Sequence, residues 1–137
     1  MPALPEPLTD GAVQVREIAE WDIPEVLIAF QNDPELHRAL GLRRPPTGAD
    51  LGSQVEHAEA TRLAGEHLDL SVTLPGSRDC VGRVLIGPVD WHAHAAPVRV
   101  WLAPHVRGLG YEAAALALVE RWLHDRAGLR AVPGVVY

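Results

Sequence analysis

The chain has 137 residues, 47% hydrophobic and 22% charged, with a formal net charge of -6 at pH 7 and arginine as its only strongly basic residue. This is the size and composition of one globular domain able to bury a real core, which excludes extensive disorder. The acidic balance argues against DNA or RNA as a bulk partner, since phosphate binding needs a positive stripe, and suits a cationic amine better. The single cysteine, Cys80, excludes an intrachain disulfide and fits a reducing cytoplasm.

Residues 1–12 read as an extended arm, with three prolines in the first eight positions and a turn at Thr9-Asp10-Gly11. They lack the basic and apolar regions of a signal peptide, and no apolar run approaches the ~20 residues of a membrane span. Residues 13–137 read as a single domain. Val13 to Ile18 alternates apolar and polar side chains, as a half-buried strand does. Glu20 to Gln31 follows as a helix, with Pro24 tolerable in its first turn and Trp21 assigned to the core. A short second helix runs from Asp33-Pro34 to Leu40, with Asp33 as its N-cap and Gly41 as its stop. Thr47 to Ala64 is a third helix whose polar face, including Gln54, His57 and Arg62, is expected to meet solvent.

Strand signals come next. Leu68 to Leu74 alternates, and Pro75 to Asp79 is a hairpin loop. Cys80 to Ile86 is a more buried strand, in which Cys80 is a small buried residue. Asp90 to Pro97 is a loop, and Val98 to Leu102 is the fourth strand. Three successive strands with short links predict an antiparallel meander. Gly110 to Ala127 is strongly helical, with Leu116, Val119 and Leu123 at helical spacing and Gly128 as the cap. A fifth strand starts at Leu129, is broken by Pro133-Gly134, and resumes to Tyr137.

The segment that carries chemistry is strand, then Ala103-Pro104-His105-Val106, then Arg107-Gly108-Leu109-Gly110-Tyr111, then the alanine-rich helix. Glycines let a backbone approach a ligand closely and adopt conformations barred to other residues. The helix that follows opens with unsatisfied N–H groups and a partial positive charge. Together these make a phosphate-binding turn, to which Arg107 can add charge or act as a brace.

This run resembles motif A of the GCN5-related N-acetyltransferase (GNAT) superfamily, an Arg/Gln-x-x-Gly-x-Gly/Ala loop. Trp101-Leu102-Ala103-Pro104 before it is similar to the branch that acetylates ribosomal-protein N-termini and small amines. The opening Leu4 to Gly11, the Asp33-Pro34 pair and the glycine-bearing strand Val81-Gly82-Arg83-Val84 follow the same branch. The resemblance implies an α/β fold, a GNAT-type mixed and largely antiparallel sheet flanked by helices. It implies acetyl-CoA as co-substrate, no metal, and a primary amine as acceptor on a small molecule or a protein N-terminus. Trp101 and Leu102 would lie at the splayed end of the fourth strand, where the backbone pairs with the pantetheine arm. Arg107, Gly108, Leu109, Gly110, Tyr111 and Glu112 would hold the pyrophosphate.

Three positions depart from the family pattern. Glu112 stands where the family has Gly or Ala, and its carboxylate repels a pyrophosphate unless it points away. Pro97 stands about where the branch often has a glutamate that helps deprotonate the amine. The sequence stops at Tyr137, where the family continues with a helix and strands that help bind coenzyme A and supply the acid for the leaving thiolate. The catalytic residues are therefore left unassigned. The fifth strand is expected to form an open edge able to pair with a second copy of the chain. The alternatives are a non-catalytic module acting by dimerisation or partner binding, and a fragment of a larger acetyltransferase. His92 and His94, beside Asp90 and Trp91, lie in the loop before the fourth strand. They read as a solvated loop, or as a general base beside an aspartate.

Overall fold

The computed structural model describes residues 1–137. Six strands, β1 (Leu8–Thr9), β2 (Gln14–Glu17), β3 (Leu68–Thr73), β4 (Gly82–Ile86), β5 (Ala95–Leu102) and β6 (Arg130–Val136), form one sheet in sequence order. All neighbours are antiparallel except β5 and β6, which are parallel. The helices are α1 (Ile23–Asn32), α2 (Leu36–Ala39), α3 (Gly48–Leu63) and α4 (Tyr111–Trp122), the last extended by a π-helical turn over Leu123–Ala127. The fold is the mixed, mostly antiparallel α/β sheet with flanking helices expected from the sequence. No helix is long and apolar enough to cross a membrane.

Alternation divides the sheet into two faces. Leu70, Val72, Val84, Ile86, Val98, Val100 and Leu102 are buried on the face that meets α4, whose Ala115, Val119 and Trp122 face inward. The other face, covered by α1 and α3, carries Asp69, Ser71, Arg83, Leu85, Arg99 and Trp101. A Cβ at Gly82 would collide with the Trp101 carbonyl oxygen of the neighbouring strand, so no larger residue fits.

Several elements differ from the sequence reading. The proline-rich start lies along the molecule, with Leu4 buried and Leu8 paired with Val15 across a hairpin. Asp10 closes that hairpin by accepting from the N–H groups of Ala12 and Val13. Residues 20–22 form a 3₁₀ turn ahead of α1. Trp21 is 54% exposed, because it stacks on the guanidinium groups of Arg16 and Arg78. Asp33 heads a turn before α2 and does not cap it. β5 begins three residues earlier than expected, at Ala95, because Asp90 and Ala95 bridge the loop between them. β6 runs unbroken through Pro133-Gly134, with a register shift opposite Val98 and Val100. Proline is tolerated there because β6 is an edge strand and its missing N–H breaks no second ladder.

Candidate functional site

The glycine turn closes the end of β5. Gly108 and Gly110 both adopt positive φ, at 74° and 86°. Gly110 is the N-cap of α4, so the turn delivers the chain directly into the helix. Gly108, Leu109 and Gly110 are exposed, whereas Trp101 and Leu102 are buried at the end of the strand. Trp101 packs edge-on against Phe30 of α1, with ring centroids 5.4 Å apart.

Two side chains that flank the turn, Arg107 and Glu112, are engaged by the protein itself. The Arg107 guanidinium pairs with Asp33 at 2.7 Å, donates through Nε to the Leu102 carbonyl, and lies 4.5 Å from the centre of the Tyr137 ring. Of the two roles open to it in the sequence, Arg107 fills the brace, tying the turn to the segment after α1. Glu112 points back into the turn, where a carboxylate oxygen accepts from the Gly108 N–H at 3.3 Å. It occupies an amide that an anion would use. The helix-start geometry favours a negative charge there, and the chain supplies its own.

The main chain beside Trp101 and Leu102 is also engaged. Tyr137 donates its N–H to the Val100 carbonyl at 2.9 Å, and the Leu102 N–H donates to the Tyr137 carbonyl at 3.3 Å. The splayed end expected of the fourth strand, here β5, is filled by residues at the end of β6.

A cleft of about 470 Å³, lined in part by Trp101, lies between α1, α3 and the sheet. This is the size of a small-molecule site. Phe30, Leu40, Leu42, Leu51 and Leu85 supply apolar walls, and Asp69, Arg83 and Arg99 converge from three adjacent strands. Burial raises the Asp69 carboxyl above its ordinary value, against the opposing pull of Arg83, His67 and Arg99. A carboxyl so shifted can hold and release a proton nearer neutral pH. Arg99 donates to the Leu40 carbonyl at 2.8 Å. Gln54 and His57 of α3 line the cleft as well, so part of that helix's polar face looks into a cavity and not into open solvent.

His92 and His94 are exposed at the opposite end of β5, about 25 Å from Leu102 at ~3.3 Å per residue. Neither lines the cleft. Trp91 donates to the Gly65 carbonyl, which pins that loop to the end of α3. Cys80 is buried, its thiol donating to the Gly82 carbonyl, and burial pushes its pKa up.

Residues 13–136 match the family model described as an acetyltransferase (GNAT) domain. Solved structures share the fold. One is the Salmonella typhimurium acetyl transferase described as modifying the N-terminal serine of the 50S ribosomal subunit protein L7/L12. It is 14% identical, with a TM-score of 0.79, and the match covers 93% of this chain and 74% of that one. A second is the microcin C7 self-immunity acetyltransferase MccE in complex with acetyl-CoA and AMP, at 16% identity, TM-score 0.71, and coverage of 92% and 74%. A third is Mycobacterium smegmatis RimJ in complex with CoA-disulfide, at 21% identity, TM-score 0.67, and coverage of 90% and 63%. No curated protein sequence matches the chain.

Proposed function

The chain belongs to the GNAT acetyltransferase domain family, and from that premise we propose that it transfers acetyl from acetyl-CoA to a primary amine. The observation that carries the reading is the turn itself: Gly108 and Gly110, both at positive φ, deliver the chain into the N-terminus of α4, while Trp101, in the strand just before the turn, lines the cleft. In this reading the turn takes the pyrophosphate on Gly108 to Glu112, Arg107 holds the turn's shape, and the strand end at Trp101 and Leu102 takes the pantetheine. The amine arrives through the cleft and attacks the thioester carbonyl. The C–N bond forms, the C–S bond breaks, and the coenzyme leaves as thiolate, which takes up through solvent the proton that the amine loses, with strand amides polarising the carbonyl. Acetyl-CoA complexes of a fold neighbour support the choice of co-substrate.

Calorimetric titration with acetyl-CoA tests this, and the absence of binding at millimolar ligand sinks it. Glu112→Ala should bind acetyl-CoA about tenfold more tightly than the parent chain. It removes a like charge from a partly exposed site and frees the Gly108 amide, a gain of order 1 kcal/mol. Weaker binding by the variant would show that the carboxylate shapes the turn and does not compete with the ligand.

The filled groove also supports a second reading, a non-catalytic module that dimerises. β6 is an edge strand along which Val132, Val135 and Val136 are exposed. Such an edge is a template for pairing, blunted here at Pro133 but not at Val135 and Val136. On this reading sedimentation equilibrium should find a dimer that Val135→Lys converts to monomer. A monomeric parent chain would exclude it.

A further inference from the structure

The least satisfied polar group in the cleft is Arg83. The residue is 2% exposed, and it is the second residue of β4, between its register partners Ser71 and Trp101. One terminal nitrogen, Nη1, donates to the Gln54 side-chain oxygen at 3.1 Å. The other two nitrogens, Nε and Nη2, are buried without any hydrogen-bond partner. No carboxylate lies within ion-pair distance of it, although the chain forms six such pairs elsewhere. Asp22, which holds Ser71 in the adjoining register position, is already committed to Arg16. A buried charge is normally paired, because desolvation costs several kcal/mol per ion.

The two free nitrogens are informative in their identity. Nε–H and Nη2–H lie on the same edge of a guanidinium and point in parallel, the edge that takes both oxygens of one carboxylate. Arg99 adds a second positive charge to the same cleft, and the one carboxyl facing it, Asp69, resists ionisation through burial. The cleft therefore has a surplus of positive charge around an apolar pocket, although the protein as a whole is acidic.

We propose that this cleft binds a small apolar molecule through a carboxylate held bidentately by Nε and Nη2 of Arg83, so that the acceptor class is a hydrophobic α-amino acid and not a simple amine. The assignment of an acceptor rests on the acetyltransferase reading, but the carboxylate site does not. Arg83 is the register partner of Trp101, so a carboxylate on Arg83 brings an α-amino group, one carbon away, to the end of β5 where the thioester would lie. The apolar side chain then fills the space toward Phe30, Leu40 and Leu85.

The test is binding without coenzyme, using three probes of one size. L-phenylalanine carries both groups, 3-phenylpropionate the acid alone, and phenethylamine the amine alone. Calorimetry should find the two acids bound at least about tenfold more tightly than phenethylamine. Arg83→Met should lower acid binding by at least about tenfold while its Tm stays equal to, or above, that of the parent chain, because removing an unpaired buried charge carries no stability loss. Arg83→Lys should retain part of the binding. The proposal is overturned if neither acid binds at millimolar concentration, if phenethylamine binds as well as the acids, or if Arg83→Met binds acids unchanged. A steep fall in the Tm of Arg83→Met would also overturn it, since Arg83 would then be a structural residue. Acid binding without acetyl-CoA binding would leave the site standing and remove the enzyme.

Discussion

Asp22→Ala is expected to destabilise the fold by about 3 kcal/mol and to lower Tm by on the order of 10 °C, the largest stability effect of any single polar substitution. Asp22 is fully buried, and its carboxylate accepts four hydrogen bonds from three groups. It takes a two-pronged ion pair from Arg16 at 2.7 and 2.9 Å, the Ser71 hydroxyl at 2.7 Å, and the Ala19 N–H at 3.0 Å. These join β2, the turn before α1 and β3, so the residue pins α1 to the sheet that forms the cleft. Alanine leaves the serine hydroxyl unpaired and Arg16 without its anion. Arg16 is 15% exposed at its side chain and keeps the Glu17 and Arg78 carbonyls, which places the cost at the lower end for broken buried pairs. The effect depends on pH in a fixed direction. Burial pushes the Asp22 carboxyl up, but Arg16, Ser71 and Ala19 together hold it below its ordinary 3.8. Its folded pKa is therefore the lower one, so the stabilisation is complete above the unfolded value and is lost as pH falls through the folded value. Melting curves of the parent chain and Asp22→Ala should differ most at neutral pH and converge below about pH 4. A gap that widened in acid would contradict the assignment.

Much of this architecture is legible in the sequence because its signals are local. Alternation in Leu68 to Leu74 gives β3, helical spacing in Leu116, Val119 and Leu123 gives α4, and Arg107 to Tyr111 marks the turn at its start. The cleft is not legible in that way. Asp69, Arg83 and Arg99 are far apart in the chain, and only strand register places Asp69 opposite Leu85, Leu85 opposite Arg99, and Arg83 opposite Trp101. One local hint existed. Arg83 interrupts the apolar run from Cys80 to Ile86, and a charge inside a buried strand needs a reason. The hydrophobicity of Trp21 points to the core, yet it stacks on Arg16 and on Arg78, the nearer cation, which lies 57 positions away and leaves no local sequence signal. The unbroken course of β6 was hidden for a related reason. Pro133-Gly134 reads as a break, and only the edge position of the strand makes the pair tolerable. Likewise the engagement of Tyr137 with Val100 and Leu102 depends on where β6 returns beside β5.

That return leads to the largest expected effect on ligand binding. A chain shortened to end at Gly134 should bind acetyl-CoA about 10- to 30-fold more tightly than the full sequence, if the acetyltransferase reading holds. The pantetheine arm in that reading needs the strand-end backbone that Tyr137 now occupies through the Val100 carbonyl and the Leu102 N–H. A ligand that binds only the open form has its apparent affinity reduced by the fraction of molecules that are open. Two main-chain hydrogen bonds at a net ~1 kcal/mol each would hold that fraction near one in 30. Removing residues 135–137 deletes both bonds. Tyr137→Ala is the informative control. It keeps the main-chain bonds and loses the half-buried ring stacked on Arg107, so it should change affinity by no more than about fivefold, as fits a cation–π contact of ~1 kcal/mol. If the shortened chain binds more weakly, Val135 to Tyr137 form a wall of the coenzyme site. If Tyr137→Ala matches the shortened chain, the ring and not the strand pairing is what blocks the groove. Calorimetry on the three chains, with melting curves to confirm that each is folded, separates these outcomes.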